Sequence, residues 1–425
     1  MILKKVTVIG LGYVGLPLAC AIAKTKLFNV CGYEISPEKA ALIQKGISRI
    51  EDEVARKLLH KIKLTVSTSD EILRDSDFII VCVPTPVKNN KLPDLTPVKS
   101  ATRSILKYLR KGQCIIIEST INPGVCEEIV LPILEKSGLK GGRDFELSHC
   151  PERINPGDPT WDVNNIPRNI GSLTEKGNAR VAAFYRSFLK GEVREVSNLK
   201  VAEATKIIEN TFRDINIAYV NELAKSFDLM GIDLLETIHA ASNKPFAFMP
   251  HFPSCGVGGH CIPVDPYYLI TRAKKAGFNH SFLRKARQVN NSMPHYAVSL
   301  LEAKVKEVGL VFSKVKVGVL GLSYKANIGD LRESPSLEIL EILASKKAHV
   351  KAFDPHVPAK SDAKTLDELC AWADVLLLAT GHREFVAVPA AFFKKHGIRV
   401  ILDGKNCLDK KALIKAGIVY KGIGH

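Results

Sequence analysis

The strand-like run Val6-Thr7-Val8-Ile9 stops at Gly10, and Leu11-Gly12-Tyr13-Val14-Gly15 carries the chain straight into an apolar, helix-forming stretch. Few folds place three glycines at this spacing between a strand and a helix. Gly10 permits the tight turn and Gly12 lets the backbone approach a pyrophosphate. Gly15 lets the helix pack closely on the strand, with the helix N-terminus facing the negative charge. A parallel βαβ unit is the consequence. Glu34, nineteen residues beyond Gly15, then falls at the end of the second strand, where the ribose hydroxyls of a dinucleotide sit. An acid there repels a 2′-phosphate, so NAD is expected over NADP, held by Gly10, Gly12, Tyr13, Val14, Gly15 and Glu34. The same segment superficially resembles a secretion signal, because Lys4-Lys5 precede apolar residues 6–23. The glycines and Pro17 interrupt that run, and no other stretch approaches about 18 uninterrupted apolar residues. A cytoplasmic chain without membrane insertion is expected.

The βα rhythm continues with strands expected near residues 30–33, 78–83, 114–118 and 146–150, separated by amphipathic stretches such as 37–45 and 97–109. Residues 201–230 then run without Pro or Gly and repeat apolar residues at helical period, which predicts a long central helix followed by further helical material. The tract 243–266 holds five Pro and three Gly and reads as a functional loop. Strands resume near 315–320, 350–353, 375–379 and 400–402. Asn29-Val-Cys-Gly-Tyr-Glu34 is echoed by His349-Val-Lys-Ala-Phe-Asp354, and Ser76-Asp-Phe-Ile-Ile-Val by Ala373-Asp-Val-Leu-Leu-Leu. The fold class is therefore α/β: two doubly wound Rossmann-like domains joined by a long central helix and a helical middle domain. The expected boundaries are 1–198 for NAD binding, 199–310 for the middle part and 311–425 for the second Rossmann-like domain.

Sixty Lys and Arg against 44 Asp and Glu give a net charge of +16. The charge is interleaved, with no run of five cations, so an anionic small molecule suits it better than nucleic acid. Ten cysteines without a CxxC pair fit buried thiols in a reducing compartment better than a disulfide framework. Cys255, His260 and Cys261 lack a fourth partner nearby, and no metal site is expected.

Chemistry-bearing residues collect at expected strand ends and in the Pro/Gly tract. Val83-Pro84-Thr85-Pro86 and Glu118-Ser119-Thr120 both follow strands, at the carboxyl edge where such sheets bind ligands. Glu152 and Arg153 follow Cys150-Pro151. Lys206 and Asn210, four apart on the long helix, share one face. Gly256-Val-Gly258-Gly259-His260-Cys261-Ile-Pro263-Val-Asp265-Pro266 combines glycines that allow close approach with a cysteine able to act as a nucleophile.

Taken in order, GLGYVGLP, VPTP, EST, CPER, the Lys-x3-Asn helix, GVGGHCIPVDP and SYKANIGDLRESPS resemble the UDP-glucose/GDP-mannose dehydrogenase family, over nearly the whole chain. The stretch Asn243-Lys-Pro-Phe-Ala-Phe248-Met-Pro is similar to members acting on UDP-N-acetylhexosamines, UDP-N-acetylglucosamine in particular. The resemblance implies NAD-dependent oxidation of a sugar 6-hydroxyl to a carboxylate in two hydride transfers, serving surface polysaccharide synthesis. It implies that Cys261 attacks the intermediate aldehyde, that Lys206 and Asn210 stabilise the oxyanion, and that Asp265 and Thr120 position water or relay protons. Glu152 is the implied general base of thioester hydrolysis. Pro84, Thr85, Ser119, Thr120 and Arg332 join the cofactor contacts. Glu152, Arg153, Lys206, Asn210, Phe248, Gly258 and Lys325 face the UDP-sugar, and Lys325 and Arg332 meet the UDP moiety.

Two departures stand out. Residues 243–255 hold no Arg where many relatives supply one to the neighbouring subunit, and Lys244 is the only cation there. Ser254-Cys255 stands where Gly-Pro is common. Other readings are a UDP-glucose 6-dehydrogenase, a two-electron hydroxyacid dehydrogenase that needs no cysteine, and a nucleotide-binding regulatory protein without turnover. A homodimer or higher homo-oligomer is expected on the central helix, whose apolar face is wider than one bundle buries.

Overall fold

The computed structural model describes residues 3–48, 53–87, 92–154 and 160–425. The chain divides into two compact units. The first comprises Met1–Glu209 with Tyr267–Phe278, and the second Asn210–Pro266 with Asn279–His425.

In the first unit, β1 (Lys5–Ile9), β2 (Asn29–Tyr33), β3 (Thr65–Ser67), β4 (Phe78–Val81), β5 (Cys114–Ile117), β6 (Glu146–His149), β7 (Arg168–Ser172) and β8 (Val193–Glu195) form one sheet, in the order β3-β2-β1-β4-β5-β6-β7-β8. All neighbours are parallel except β6 and β7, which pair antiparallel through Ser148 and Ser172. The central strands are near-continuous Val and Ile because helices cover both faces, the pattern that parallel sheets require. Val8, Ile80 and Ile116 are wholly buried, each contributing about 1.5–3 kcal/mol. The strand order reverses between β1 and β4, which opens a crevice at their carboxyl ends.

The second unit carries β9 (Lys316–Leu320), β10 (His349–Phe353), β11 (Val375–Leu378), β12 (Val400–Asp403) and β13 (Val419–Gly422), all parallel, in the order β10-β9-β11-β12-β13. Its reversal lies between β9 and β11. Every strand expected from the sequence forms, with ends shifted by one or two residues. The strands β3, β7, β8 and β13 were not anticipated: β3 and β8 span three residues each, too short to display a period.

The long helix runs Leu199–Met230, 32 residues, about 48 Å at the α-helical rise. One side buries Ala202, Ile207, Ala218 and Ala224, while Val201, Ile208, Phe212 and Tyr219 form an exposed apolar stripe on another. Among the described residues no helix is long and apolar enough to cross a membrane.

Candidate active site

The first turn behaves as its glycines require. Gly10 has φ +85° and a Cβ there would lie 2.8 Å from the Cys82 carbonyl oxygen. A Cβ at Gly15 would lie 2.0 Å from the Gly10 oxygen, so helix and turn touch backbone to backbone. Gly12 differs: nothing of the chain lies within 4 Å of its missing Cβ, the open face a pyrophosphate needs. Tyr13 is 41% exposed beside it. Glu34 is buried, its Oε2 accepting from the Leu11 N–H at 3.1 Å and its Oε1 from Ser36 N–H at 3.2 Å. Lys39 Nζ reaches the same carboxylate at 2.8 Å. Burial opposes the charge, yet Lys39 and the two N–H groups outweigh it and hold the carboxyl below the usual range. Glu34 is thus an anion at the tip of β2, as a ribose partner must be.

Around β4 and β5, Ser119 Oγ donates to the Val83 carbonyl at 2.8 Å, and Tyr268 Oη donates to the Thr85 carbonyl at 2.5 Å. These bonds join the segment holding Pro84 and Thr85 to the Glu118-Ser119-Thr120 loop and to the helix Asp265–Lys275. Thr120 is half-buried. Beneath it Glu118, Arg168 and Tyr185 form a fully buried group: Arg168 Nη1 lies 3.5 Å from Glu118 Oε2, and Tyr185 Oη donates to Glu118 Oε1. Burial pushes the Glu118 carboxyl up, against the pull of Arg168 and Tyr185. Glu152 is buried, its backbone N–H directed at the Glu118 carbonyl (3.4 Å) and its Oε1 accepting from Ile154 N–H. The Arg153 guanidinium pairs with Glu209 at 2.7 Å and donates to the Pro167 carbonyl.

Lys206 and Asn210 are both buried, at 8% and 6% exposure. The boundary between the units passes between them. Within the second unit Asn210 Nδ2 donates to Asp265 Oδ2 at 2.5 Å. Asp265 returns its N–H to the Cys261 carbonyl at 2.8 Å, as does Val264 at 3.0 Å. The nucleophile candidate, the buried acid and the amide donor are thereby brought together. Cys261 is one of two cysteines that are not buried. Its neighbour Cys255 is buried, with its thiol pushed up to about 12, which leaves it inert.

The glycines before Cys261 are there for contact. A Cβ on Gly258 would lie 2.6 Å from Tyr324 Cβ, and one on Gly259, at φ +88°, would lie 2.8 Å from the Tyr324 ring. Gly259 N–H also donates to the Arg332 carbonyl at 2.9 Å. The segment with Tyr324 and Lys325 thus forms the floor of the Cys261 loop. The Arg332 guanidinium is engaged by Asp330, two residues back, at 2.5 Å, and Lys325 is half-buried. Phe248 is 36% exposed between the more exposed Phe246 and Met249.

Several residues escaped the sequence reading. Asp354, wholly buried at the tip of β10, accepts from the N–H groups of Leu322 and Ser323 and from Ser323 Oγ, each at 2.8 Å. His382 Nε2 meets it at 3.0 Å, and His382 Nδ1 takes the Asn327 N–H at 2.9 Å. The echo of Glu34 by Asp354 was the available signal. Among the described residues only His356, His382 and Glu384 group as possible metal ligands, and both ring nitrogens of His382 are already committed.

Comparisons with known proteins give the family of the chain. Three family models match: the NAD binding domain of the UDP-glucose/GDP-mannose dehydrogenase family over residues 4–189, its central domain over 200–292 and its UDP binding domain over 318–410. The chain is 36% identical over 425 residues to a UDP-N-acetyl-D-mannosamine dehydrogenase of Pyrococcus horikoshii, covering 99% of each chain. It is 38% identical over 415 residues to a UDP-N-acetyl-D-glucosamine 6-dehydrogenase of Pseudomonas aeruginosa, covering 96% of this chain and 97% of that one. Among solved structures, a UDP-D-ManNAc dehydrogenase from Pyrococcus horikoshii superposes with TM-score 0.93 at 35% identity over 99% of both chains. With a dinucleotide turn, an acid at the second strand tip and a cysteine loop resting on a second Rossmann-like unit, this chain belongs to the UDP-glucose/GDP-mannose dehydrogenase family, whose members are NAD-dependent oxidoreductases.

Proposed function

We propose that this enzyme oxidises the 6-hydroxyl of a UDP-N-acetylhexosamine to the carboxylate in two two-electron steps, with Cys261 as nucleophile. The observation that carries the reading is the bonded set Asn210–Asp265–Cys261, a half-buried thiol whose backbone is fixed to a buried acid that itself grips an amide donor. NAD, when bound at the Gly10–Gly15 turn, supplies the hydride acceptor. Once the alcohol has become an aldehyde, the Cys261 sulfur forms a bond to C6 and the carbonyl oxygen takes a proton. The adduct presents one hydrogen for the second hydride loss, which leaves a thioester. Water, activated by Glu152 and positioned by Thr120 and Asp265, then breaks the C–S bond and frees the thiol. Lys206 and Asn210 stabilise the negative oxygen at each stage, an effect that is large in a buried site. Gly258 and Lys325 contact the UDP-sugar and Phe248 lines its sugar end. Residues 1–198, 199–310 and 311–425 divide the work into cofactor holding, chemistry with subunit pairing, and UDP holding. The uronate then serves a glycosyl transfer to surface polysaccharide.

The exposed stripe Val201, Ile208, Phe212 and Tyr219 supports a homodimer on the long helix. A monomeric sedimentation profile at micromolar concentration would remove that part. A panel of UDP-GlcNAc, UDP-ManNAc, UDP-GalNAc and UDP-glucose with NADH readout tests the substrate. The segment 243–250 favours UDP-GlcNAc, whereas the similar structures from Pyrococcus horikoshii and Staphylococcus aureus carry the manno name. Two NADH per sugar, abolished at the acid-forming stage by Cys261→Ser, is the expected result. One NADH per sugar, or full turnover in Cys261→Ser, would replace it with the simpler hydroxy-dehydrogenase.

A further inference from the structure

The loop carrying Thr120 is tied down on both sides. Upstream, Ser119 donates its N–H to the Val81 carbonyl at 3.0 Å and its hydroxyl to the Val83 carbonyl at 2.8 Å. Downstream the chain turns at Gly124, with φ +95°. There the N–H groups of Gly124 and Cys126 both go to a single carboxylate, Glu203, at 2.5 Å on Oε2 and 2.8 Å on Oε1. Glu203 has no exposure to solvent and stands on the helix Leu199–Met230, three residues before Lys206. All of these residues belong to the first unit.

We propose that Glu203 is a positioning residue: by holding both N–H groups from the helix that carries Lys206, it sets the spacing between Lys206 and Thr120. The inference rests on the reading of those two residues given above. These two N–H groups lie at the start of the helical turn Cys126–Val130, whose N-cap residue Val125 offers no side-chain bond. A Ser or Asp at a cap position would satisfy such groups locally. Instead the acceptor comes from 77 residues away, and it is a carboxylate placed in the interior, which is costly. Burial pushes this carboxyl up to about 7, against the pull of the two N–H groups. A purely local cap would not need that cost, whereas a brace between two parts of the site does. The surrounding charges are otherwise paired off, Glu127 with Lys200 and Glu128 with Arg272.

The test is a double-mutant cycle on the full-length enzyme with the best sugar nucleotide of the panel. Glu203→Ala should lower kcat at least about tenfold, with KM for NAD and for the sugar nucleotide within about threefold, because misplacement of reacting groups acts on the chemical step. Glu203→Gln, which keeps one acceptor, should lose less. In a Thr120→Ala background the further loss from Glu203→Ala should shrink to under about threefold, since coupled residues are non-additive. If Glu203→Ala does not fold, Glu203→Gln carries the same cycle. Additive losses in a cycle with active wild type, or a fall in melting temperature with kcat unchanged, would overturn the positioning role and leave the proposed reaction standing. Wild-type protein that yields no NADH from any UDP-sugar would overturn both.

Discussion

Two turns of this molecule share one frame and differ in three residues, of which those at the third and sixth places redirect the backbone. Gly10-Leu11-Gly12-Tyr13-Val14-Gly15 follows β1, and Gly321-Leu322-Ser323-Tyr324-Lys325-Ala326 follows β9. In both, the first glycine has positive φ, +85° and +90°, and gives its N–H to the last residue of the neighbouring strand, Tyr33 or Phe353, at 2.9 Å. In both, the next N–H goes to the acid beyond that strand, Leu11 to Glu34 and Leu322 to Asp354. Even the strand starts match: Lys5 and Lys316 each donate to an Asp, 77 and 374, at 2.9 and 2.8 Å. The difference begins at the third place. Gly12 faces open space, whereas the hydroxyl and N–H of Ser323 both turn onto Asp354. At the sixth place Gly15 begins a helix, but Ala326 leads to Asn327 at φ +62° and a longer turn that His382 holds. One acid, Glu34, is buried but keeps the partly exposed Lys39 beside it. The other is consumed by its own chain, and its turn becomes a platform for Tyr324 under the Cys261 loop. A shared backbone frame therefore does not carry a shared function; the side chains at two places decide it.

Four substitutions would break or sharpen this contrast, in falling order of effect on stability. Gly15→Ala puts a methyl 2.0 Å from the Gly10 oxygen, and with backbone on both sides relief is hard. A loss beyond about 3 kcal/mol is expected, read as a large drop in melting temperature or soluble yield. Asp354→Ala leaves the buried donors of Leu322, Ser323 and His382 unanswered, at about 1–3 kcal/mol each, so a loss of at least about 3 kcal/mol should appear in urea unfolding. The wild-type carboxyl is held well below its ordinary range: burial opposes the charge, and His382 with the Ser323 and Leu322 N–H groups overcomes it. A depressed folded pKa gives stability that is fully present above the ordinary carboxylate range and is lost progressively as pH falls from there into strong acid. Asp354→Ala should lose that acid-side slope, and urea midpoints between pH 2 and 5 check it.

Glu34→Ala leaves the Leu11 and Ser36 N–H groups without their acceptor and releases Lys39, which is more than one-third exposed, so its stability cost should be about 1–2 kcal/mol, below that of Asp354→Ala. Its effect falls on the ligand, with the NAD dissociation constant rising about tenfold or more for a lost charge-assisted bond, measured by fluorescence titration. Gly12→Ser gives the first turn the residue of the second. Melting temperature should hold within about 2 °C, because nothing of the chain stands at that Cβ, while NAD binding weakens. A melting temperature that falls as far as in Gly15→Ala would show that the two faces of this turn are not distinct.

Much of this was readable beforehand, and for identifiable reasons. Turns made by glycine announce themselves, because positive φ and backbone contact admit almost nothing else. Gly10, Gly15, Gly258 and Gly259 could thus be singled out, and Cys261 and Asp265 with them, since they sit within a few residues. Parallel strands buried on both faces form apolar runs that stand out, whereas the three-residue strands β3 and β8 have no period to detect. A sequence displays the Arg153 and Arg332 cations but not that Glu209 and Asp330 lie within reach of their guanidinium groups. Glu203 and His382 were not noticed, because a buried acid or imidazole earns its place from groups far along the chain.

From the amino acids alone came the βα order, the dinucleotide turn, the long helix and the residue types able to do the chemistry, all properties of local spacing and conformational preference. Folding alone decided that Glu34 pairs with Lys39 while Asp354 is closed in by Ser323 and His382. It also decided that Asn210 meets Asp265 across 55 residues and that Glu203 braces the Thr120 loop. Hydrogen bonds and burial depend on distances between remote segments, and those exist only once the chain has closed on itself.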